Sequence, residues 1–314
     1  MAENQSSILD RILQQSGDEE LLNKLAALSP SDLQTLLMEV FANRSSRVTQ
    51  PQLLREYQSN RFVKPATIDP IAYLHTELKT LTLAREMGIE LTLLSPAGQL
   101  YSCSAMASVS QNKVLSALRG TEVLADPTNM LALIIADRLQ KKVSFNSGQY
   151  IHASAACRVA RGQVFSGPNS FSHFGLFCKV SSGQDTGSYT CEHSLIATHL
   201  AYYDRLFREE LKTPLHLVLK MRGGYKDGQG FLERTAGHIQ KMLPALPLTF
   251  ETAESDNAYY RGINFKLMIP INGKLSEVGD GGFVDWTQKL LGNKKERLLI
   301  SAIGLDRLIS LQQG

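Results

Sequence analysis

The chain has 314 residues, 43% of them hydrophobic and 20% charged, with a formal net charge of +3. That length accommodates one large domain with an appendage, or two domains, and the balance of charge lacks the basic excess of a dedicated nucleic-acid binder. No apolar run approaches the roughly 18 residues of a membrane span, and the polar start MAENQSSILDRILQQ is unlike a secretory signal, so the expected location is cytoplasmic.

Residues 1–62 are expected to form a helical N-terminal region, and 63–314 a larger core. Ser7–Gln15 and Glu19–Leu28 carry apolar residues at helical spacing. Ser29-Pro30-Ser31-Asp32 is a capping sequence, and Leu36, Leu37, Val40 and Phe41 then share one helical face. Val48–Tyr57 reads as one more short helix. Nothing in this unit carries chemistry; a packing or dimer-stabilising appendage is the favoured reading, with peptide or RNA contact as the alternative.

After a linker with two prolines, Ile71–Met87 reads as a long helix with Leu74, Leu78, Leu81 and Ala84 as its core stripe, and Ile89–Leu94 as a strand closed by Ser95-Pro96. Thr121–Leu124 suits a strand, and Asn129–Leu139 a helix whose start is capped by Asp126 or Thr128. Gln149–Ala160 and Ser172–Val180 read as two strands flanking a loop rich in Gly, Ser, Pro and Asn, with Arg158 and Arg161 at the turn. Helices follow at Glu192–Leu211 and Phe231–Leu243, with strands at Pro214–Leu219 and Leu246–Phe250. His199 falls on the apolar side of its helix and reads as a core histidine. Cys191-Glu192-His193 is the one local cluster with metal-ligand chemistry, but a closed structural site needs four ligands. Cys103, Cys157, Cys178 and Cys191 are therefore read as buried or semi-buried thiols.

The closing stretch is the most informative. Ile263, Phe265, Leu267 and Ile269 alternate as in a half-buried strand, and Asn272-Gly273 is a hairpin turn signal. Gly279, Gly281 and Gly282 bring backbone close to a neighbour. Trp286–Leu291 is helical, and Leu298–Ile303 is a strand ending at Gly304, with Arg307 in a short helix beyond it.

The succession YYRGINF, GDGG and GLDRL resembles the last third of the catalytic core of class II aminoacyl-tRNA synthetases. It is most similar to the histidyl enzyme and its paralogue, the ATP phosphoribosyltransferase regulatory subunit. The resemblance spans roughly residues 71–312 and implies an α+β fold, an antiparallel sheet flanked by helices. It implies that Arg307, with Gly304 before it, binds ATP as the third class motif does. Arg158, with Arg161, takes the place of the second motif, whose arginine meets the α-phosphate and the substrate carboxylate. VLADPT resembles the loop that holds the substrate amino group, which puts Asp126 and Thr128 there. His173, Phe177, Tyr259, Tyr260, Gly281 and Gly282 would complete the substrate pocket. ATP with Mg2+, an amino acid and a homodimer built on the first motif are implied likewise.

Departures from the family pattern carry equal weight. The acid two residues after the second-motif arginine is Ala160 here, Leu124 replaces the arginine of the amino-group loop, and AESDNAYY has no counterpart of the histidyl arginine. The chain ends shortly after Leu308, so a core without an anticodon-binding domain is expected. Two functions remain in view. One is a stand-alone ligase that activates an amino acid as its adenylate and passes it to a carrier protein, another amino acid or a tRNA. The other is a non-catalytic paralogue that binds an amino acid and reports it to a partner enzyme subunit. A plain RNA-binding scaffold is a third reading, disfavoured by the charge.

Overall fold

The computed structural model describes residues 2–142, 150–163, 172–251 and 259–313. Four helices lead the chain: α1 (Ala2–Ser16), α2 (Leu21–Ala27), α3 (Pro30–Ser45) and α4 (Gln50–Ser59). Ser29 and Thr49 cap α3 and α4 through their hydroxyls, each followed by proline within the first turn. No residue of α2, α3 or α4 is buried, and the expected face of Leu36, Val40 and Phe41 is exposed.

The larger part is built on an eight-stranded sheet. Its strands are β1 (Glu90–Leu91), β4 (Ile151–Ala160), β5 (His173–Gln184), β6 (His216–Met221), β7 (Leu248–Glu251), β8 (Arg261–Ile271), β9 (Lys274–Val284) and β10 (Glu296–Gly304). The order is β1-β4-β5-β10-β9-β8-β6-β7, and β2 (Ala97–Gln99) pairs with β3 (Thr121–Val123) in a separate ribbon. All inner pairs are antiparallel, but β1 lies parallel to β4 and β6 parallel to β7, so the sheet is mixed at both edges rather than antiparallel throughout. The β6–β7 pair is parallel because a helix crosses between them, as parallel pairing requires. Asn272 and Gly273 both take positive φ, at 48° and 76°, which lets β8 turn tightly into β9.

Helices cover both faces. On one lie α5 (Pro70–Glu86), α7 (Thr190–Arg205), α8 (Gly228–Met242) and α10 (Leu305–Gln313), burying Phe177, Phe265, Leu299 and Ile303. On the other, α6 (Pro127–Gln140) and Trp286 of α9 (Trp286–Leu291) cover Ala153, Ala155, Cys178, Val180 and Ile300. The stripe expected on α5 is met only in its second half, where Leu81 and Ala84 pack into the core. Leu74 and Leu78 are 54% and 65% exposed, while Thr76, Thr80, Leu83 and Ala84 face the core. Threonines are tolerated there because each hydroxyl bonds to its own helix, Thr76 to the Ala72 carbonyl and Thr80 to that of Glu77. The Thr80 carbonyl in turn accepts the Tyr202 hydroxyl at 2.8 Å. Among the described residues, no helix is long and apolar enough to cross a membrane.

Candidate functional site

A cavity of about 330 Å³ opens on the α6 face, near the carboxyl end of β10. Asp126 caps α6 and lines this cavity: Oδ1 accepts the Thr128 amide at 2.9 Å and the Thr128 hydroxyl at 2.7 Å. Its other oxygen, Oδ2, accepts the Tyr259 hydroxyl at 3.3 Å. The capping and the pocket readings of Asp126 are thus compatible, since one oxygen serves the helix and the other faces the tyrosine. Tyr260 donates to Asp280 Oδ2 at 2.8 Å, and the two tyrosine rings meet edge to face with centroids 4.8 Å apart. Burial raises the Asp280 carboxyl to about 6 despite the Tyr260 bond. Tyr259 and Tyr260 stay protonated, their hydroxyls pushed well up by burial. The cavity also holds Asn129, whose amide nitrogen bonds Cys103 Sγ at 3.1 Å while its buried Oδ1 has no partner.

The remaining wall is the segment after β2, which the sequence left unread. It is fixed by the buried carboxylate of Glu122, which accepts from the Tyr101 and Cys103 amides, the Ser102 hydroxyl and the Gln111 amide. Burial opposes its charge, but these bonds prevail and hold it below the usual carboxylate range. Cys103 is pushed up to about 12 by burial, as is Cys157, so neither thiol is poised as a nucleophile.

Alternation along β4 and β5 decides where the expected phosphate and substrate residues point. Leu176, Cys178 and Val180 face α6; Phe177, Lys179 and Ser181 face α7. Phe177 is therefore not a pocket residue: it is fully buried and stacked on Tyr202 at 5.2 Å. Arg158 sits opposite Gly175 in the same register and turns the same way. Its guanidinium bonds both oxygens of Asp306 at 3.1 and 3.2 Å and lies over the Tyr73 ring. Gly175 is required there, since a Cβ would come within 2.3 Å of Tyr73. His173 joins this cluster and not the cavity: its Nδ1 accepts from Arg158 at 2.9 Å and its Nε2 donates to the Lys64 carbonyl at 2.6 Å.

Other expected residues divide between the cavity and its surroundings. Arg161 lines the cavity, its Nε donating to the Ala125 carbonyl at 2.9 Å. Gly304 lines it too, whereas Arg307 is exposed on the first turn of α10. Gly281 and Gly282 act on packing. A Cβ on Gly281 would strike Phe265 and the Ile300 carbonyl, and one on Gly282 would strike the Tyr260 ring at 2.5 Å. The position of the missing histidyl-type arginine, residues 252–258, and the loop 164–171 lie outside the described residues. Asp280 and Asn129 were missed. The first was visible only as the D of GDGG, and the second carries no sequence signal beyond its place one turn into a capped helix.

His199 is the satisfied core residue its helix position implied, held between the Ser301 hydroxyl at 2.7 Å and the Ser181 hydroxyl at 2.8 Å. Glu192 of the Cys191-Glu192-His193 cluster is tied to Arg297 and Tyr225. Among the described residues, no group of three or more His, Cys, Asp or Glu could hold a metal. The cavity's residues do not fit ATP with Mg2+ in the expected way. Asp126, Asp280 and the bare Asn129 oxygen present acceptors that suit an ammonium, beside Lys113 and Arg161 as the cations of the lining, while Arg158, the arginine expected at the phosphate, is committed on the far face of the sheet.

No sequence-family profile matches the chain, and no curated protein matches it. Solved structures do. It is similar to an ATP phosphoribosyltransferase regulatory subunit/histidyl-tRNA synthetase from Bacillus halodurans, with 11% identity, 82% of this chain and 83% of that one covered, and a TM-score of 0.61. It is similar to apo histidyl-tRNA synthetase from S. aureus, with 13% identity, 81% and 69% covered, and a TM-score of 0.58. A histidine–tRNA ligase subunit from Alicyclobacillus acidocaldarius matches at 11% identity over 80% and 96%, with a TM-score of 0.55. The chain therefore has the fold of a class II aminoacyl-tRNA synthetase catalytic core.

Proposed function

We propose that this synthetase-like chain binds a free amino acid in the cavity under α6 and signals its presence to a partner subunit, without building an adenylate. The observation that carries this reading is the division of charge across the sheet. Asp126 and Thr128 line the cavity, where an α-amino group would be received. Arg158, the arginine that adenylation would require, is bonded to Asp306 on the opposite face. The likeness to a structure that bears the name of a regulatory subunit supports the same direction.

In this reading the ammonium is held by Asp126 Oδ2, and Arg161, a cationic residue on the cavity wall, receives the carboxylate. Tyr259 and Tyr260 line the site and keep the two carboxylates oriented through their hydroxyls. The outward stripe of α5, with Ile71 at 62% exposed beside Leu74 and Leu78, provides an apolar face for a homodimer. The division into an N-terminal helical region over residues 1–62 and a binding core over 63–314 fits this arrangement. The protein would work in the cytoplasm.

A second reading keeps the ligase. Arg161 lines the cavity and Arg307 is exposed one turn beyond Gly304, so these two would have to replace Arg158 at the phosphates, with Mg2+ bound by the nucleotide and few protein groups. Thermal unfolding with each standard amino acid tests the preferred reading. One class of amino acid should raise the midpoint, Asp126→Asn should abolish the shift, and ATP alone should give none. Stabilisation by ATP that Arg161→Ala abolishes would favour the ligase instead.

A further inference from the structure

We infer that the cavity selects a basic amino acid, with Asp280 as the residue that receives the second cationic group at the end of its side chain. This rests on the amino-acid reading of the same cavity and specifies the ligand it takes. The cavity has two anionic poles on separate elements, Asp126 at the start of α6 and Asp280 in β9. Each is bonded by a different member of the Tyr259–Tyr260 pair, so the consecutive tyrosines stand between the poles and hold each carboxylate in place.

The two carboxylates have different tasks left to do. Asp126 spends Oδ1 on the helix terminus, which also neutralises part of its charge through the first-turn N–H groups. Asp280 has no such partner. Its Oδ2 takes the Tyr260 hydroxyl, its Oδ1 is uncommitted, and among the described residues no lysine or arginine bonds it. Arg161, on the same cavity wall, attracts this carboxylate without bonding it, and burial, the larger effect, still makes it costly to keep charged and raises its pKa. A ligand ammonium or guanidinium would relieve that cost and be relieved of its own. Asn129 strengthens the case, because its buried Oδ1 lacks a donor while its amide nitrogen is committed to Cys103. The cavity therefore offers acceptors for more N–H groups than a single α-ammonium supplies.

The test is calorimetric titration of the full-length chain with lysine, ornithine, arginine, norleucine and cadaverine. Norleucine keeps the lysine chain length and lacks the terminal ammonium; cadaverine keeps both amines and lacks the carboxylate. Lysine, ornithine or arginine should bind, with norleucine weaker by roughly 10- to 100-fold, the range of one charge-assisted hydrogen bond. Asp280→Asn, which still accepts the Tyr260 hydroxyl, should erase the difference between lysine and norleucine. Equal weakening of both by Asp280→Asn would mean that Asp280 only supports Tyr260, and would overturn the inference. Norleucine binding as tightly as lysine would overturn it too, while leaving the amino-acid reading intact. Cadaverine binding as tightly as lysine would overturn both, in favour of a diamine site. If no standard amino acid binds, both fall together.

Discussion

Replacing Arg158 with alanine separates a structural arginine from a catalytic one. Its guanidinium spans both oxygens of Asp306, and the paired side chains are 37% and 7% exposed. Breaking a fully buried pair costs about 3–5 kcal/mol, but solvent reaches the arginine and weakens that figure. Asp306 also retains the Gly175 amide at 3.0 Å after the guanidinium is gone. About 1–2 kcal/mol remains, with roughly 0.5 kcal/mol more from the lost contact over the Tyr73 ring. Urea unfolding should therefore show a loss of about 2 kcal/mol, and a double-mutant cycle with Asp306→Asn should return most of it as coupling. Amino-acid affinity of Arg158→Ala should stay close to that of the unaltered chain, because the side chain lies across the sheet from the cavity. Unchanged stability together with lost amino-acid binding would refute the reasoning.

Three further outcomes follow from the same geometry. Phe177→Ala should cost about 3–5 kcal/mol in chemical unfolding, as for other buried aromatic truncations, with ligand affinity unchanged. Gly282→Ala should push the Tyr260 ring aside, since its new Cβ would lie 2.5 Å from that ring; weaker ligand binding, with Gly237→Ala on exposed helix surface as control, checks it. Asp280 gives a pH signature. Its folded value of about 6 exceeds the ordinary 3.8, so the folded state binds the proton more tightly, and this group's contribution to stability grows as pH falls from about 6 towards 4. Asp280→Asn should therefore gain on the unaltered chain as pH rises from 4 to 7.5, by on the order of 2 kcal/mol. Taking the difference between the two proteins cancels His152, which burial lowers to about 4 and which acts in the opposite sense.

The legible parts of the sequence were those with local signals. The Asn272-Gly273 hairpin, the Asp126 cap and the glycine-ended strand before α10 each depend on a few adjacent residues, and each is found in the structure. Side-chain direction was less legible because one residue of register reverses a strand's faces. Arg158 and Phe177 share the parity that points to α5, α7 and α10, and nothing in the local string CRVARG marks that. The outward half of the α5 stripe was hidden for a related reason. Ile71, Leu74 and Leu78 face outward, and the core side is lined partly by threonines whose hydroxyls close on their own helix. Asn129 and Glu122 became visible only as members of a site assembled from distant elements.

Amino-acid-dependent ATP–pyrophosphate exchange, run over the standard amino acids with Arg161→Ala alongside, tests the central claim most directly. The account predicts no exchange with any of them, including the amino acid that stabilises the fold. Exchange stimulated by one amino acid and abolished by Arg161→Ala would contradict it and restore the ligase.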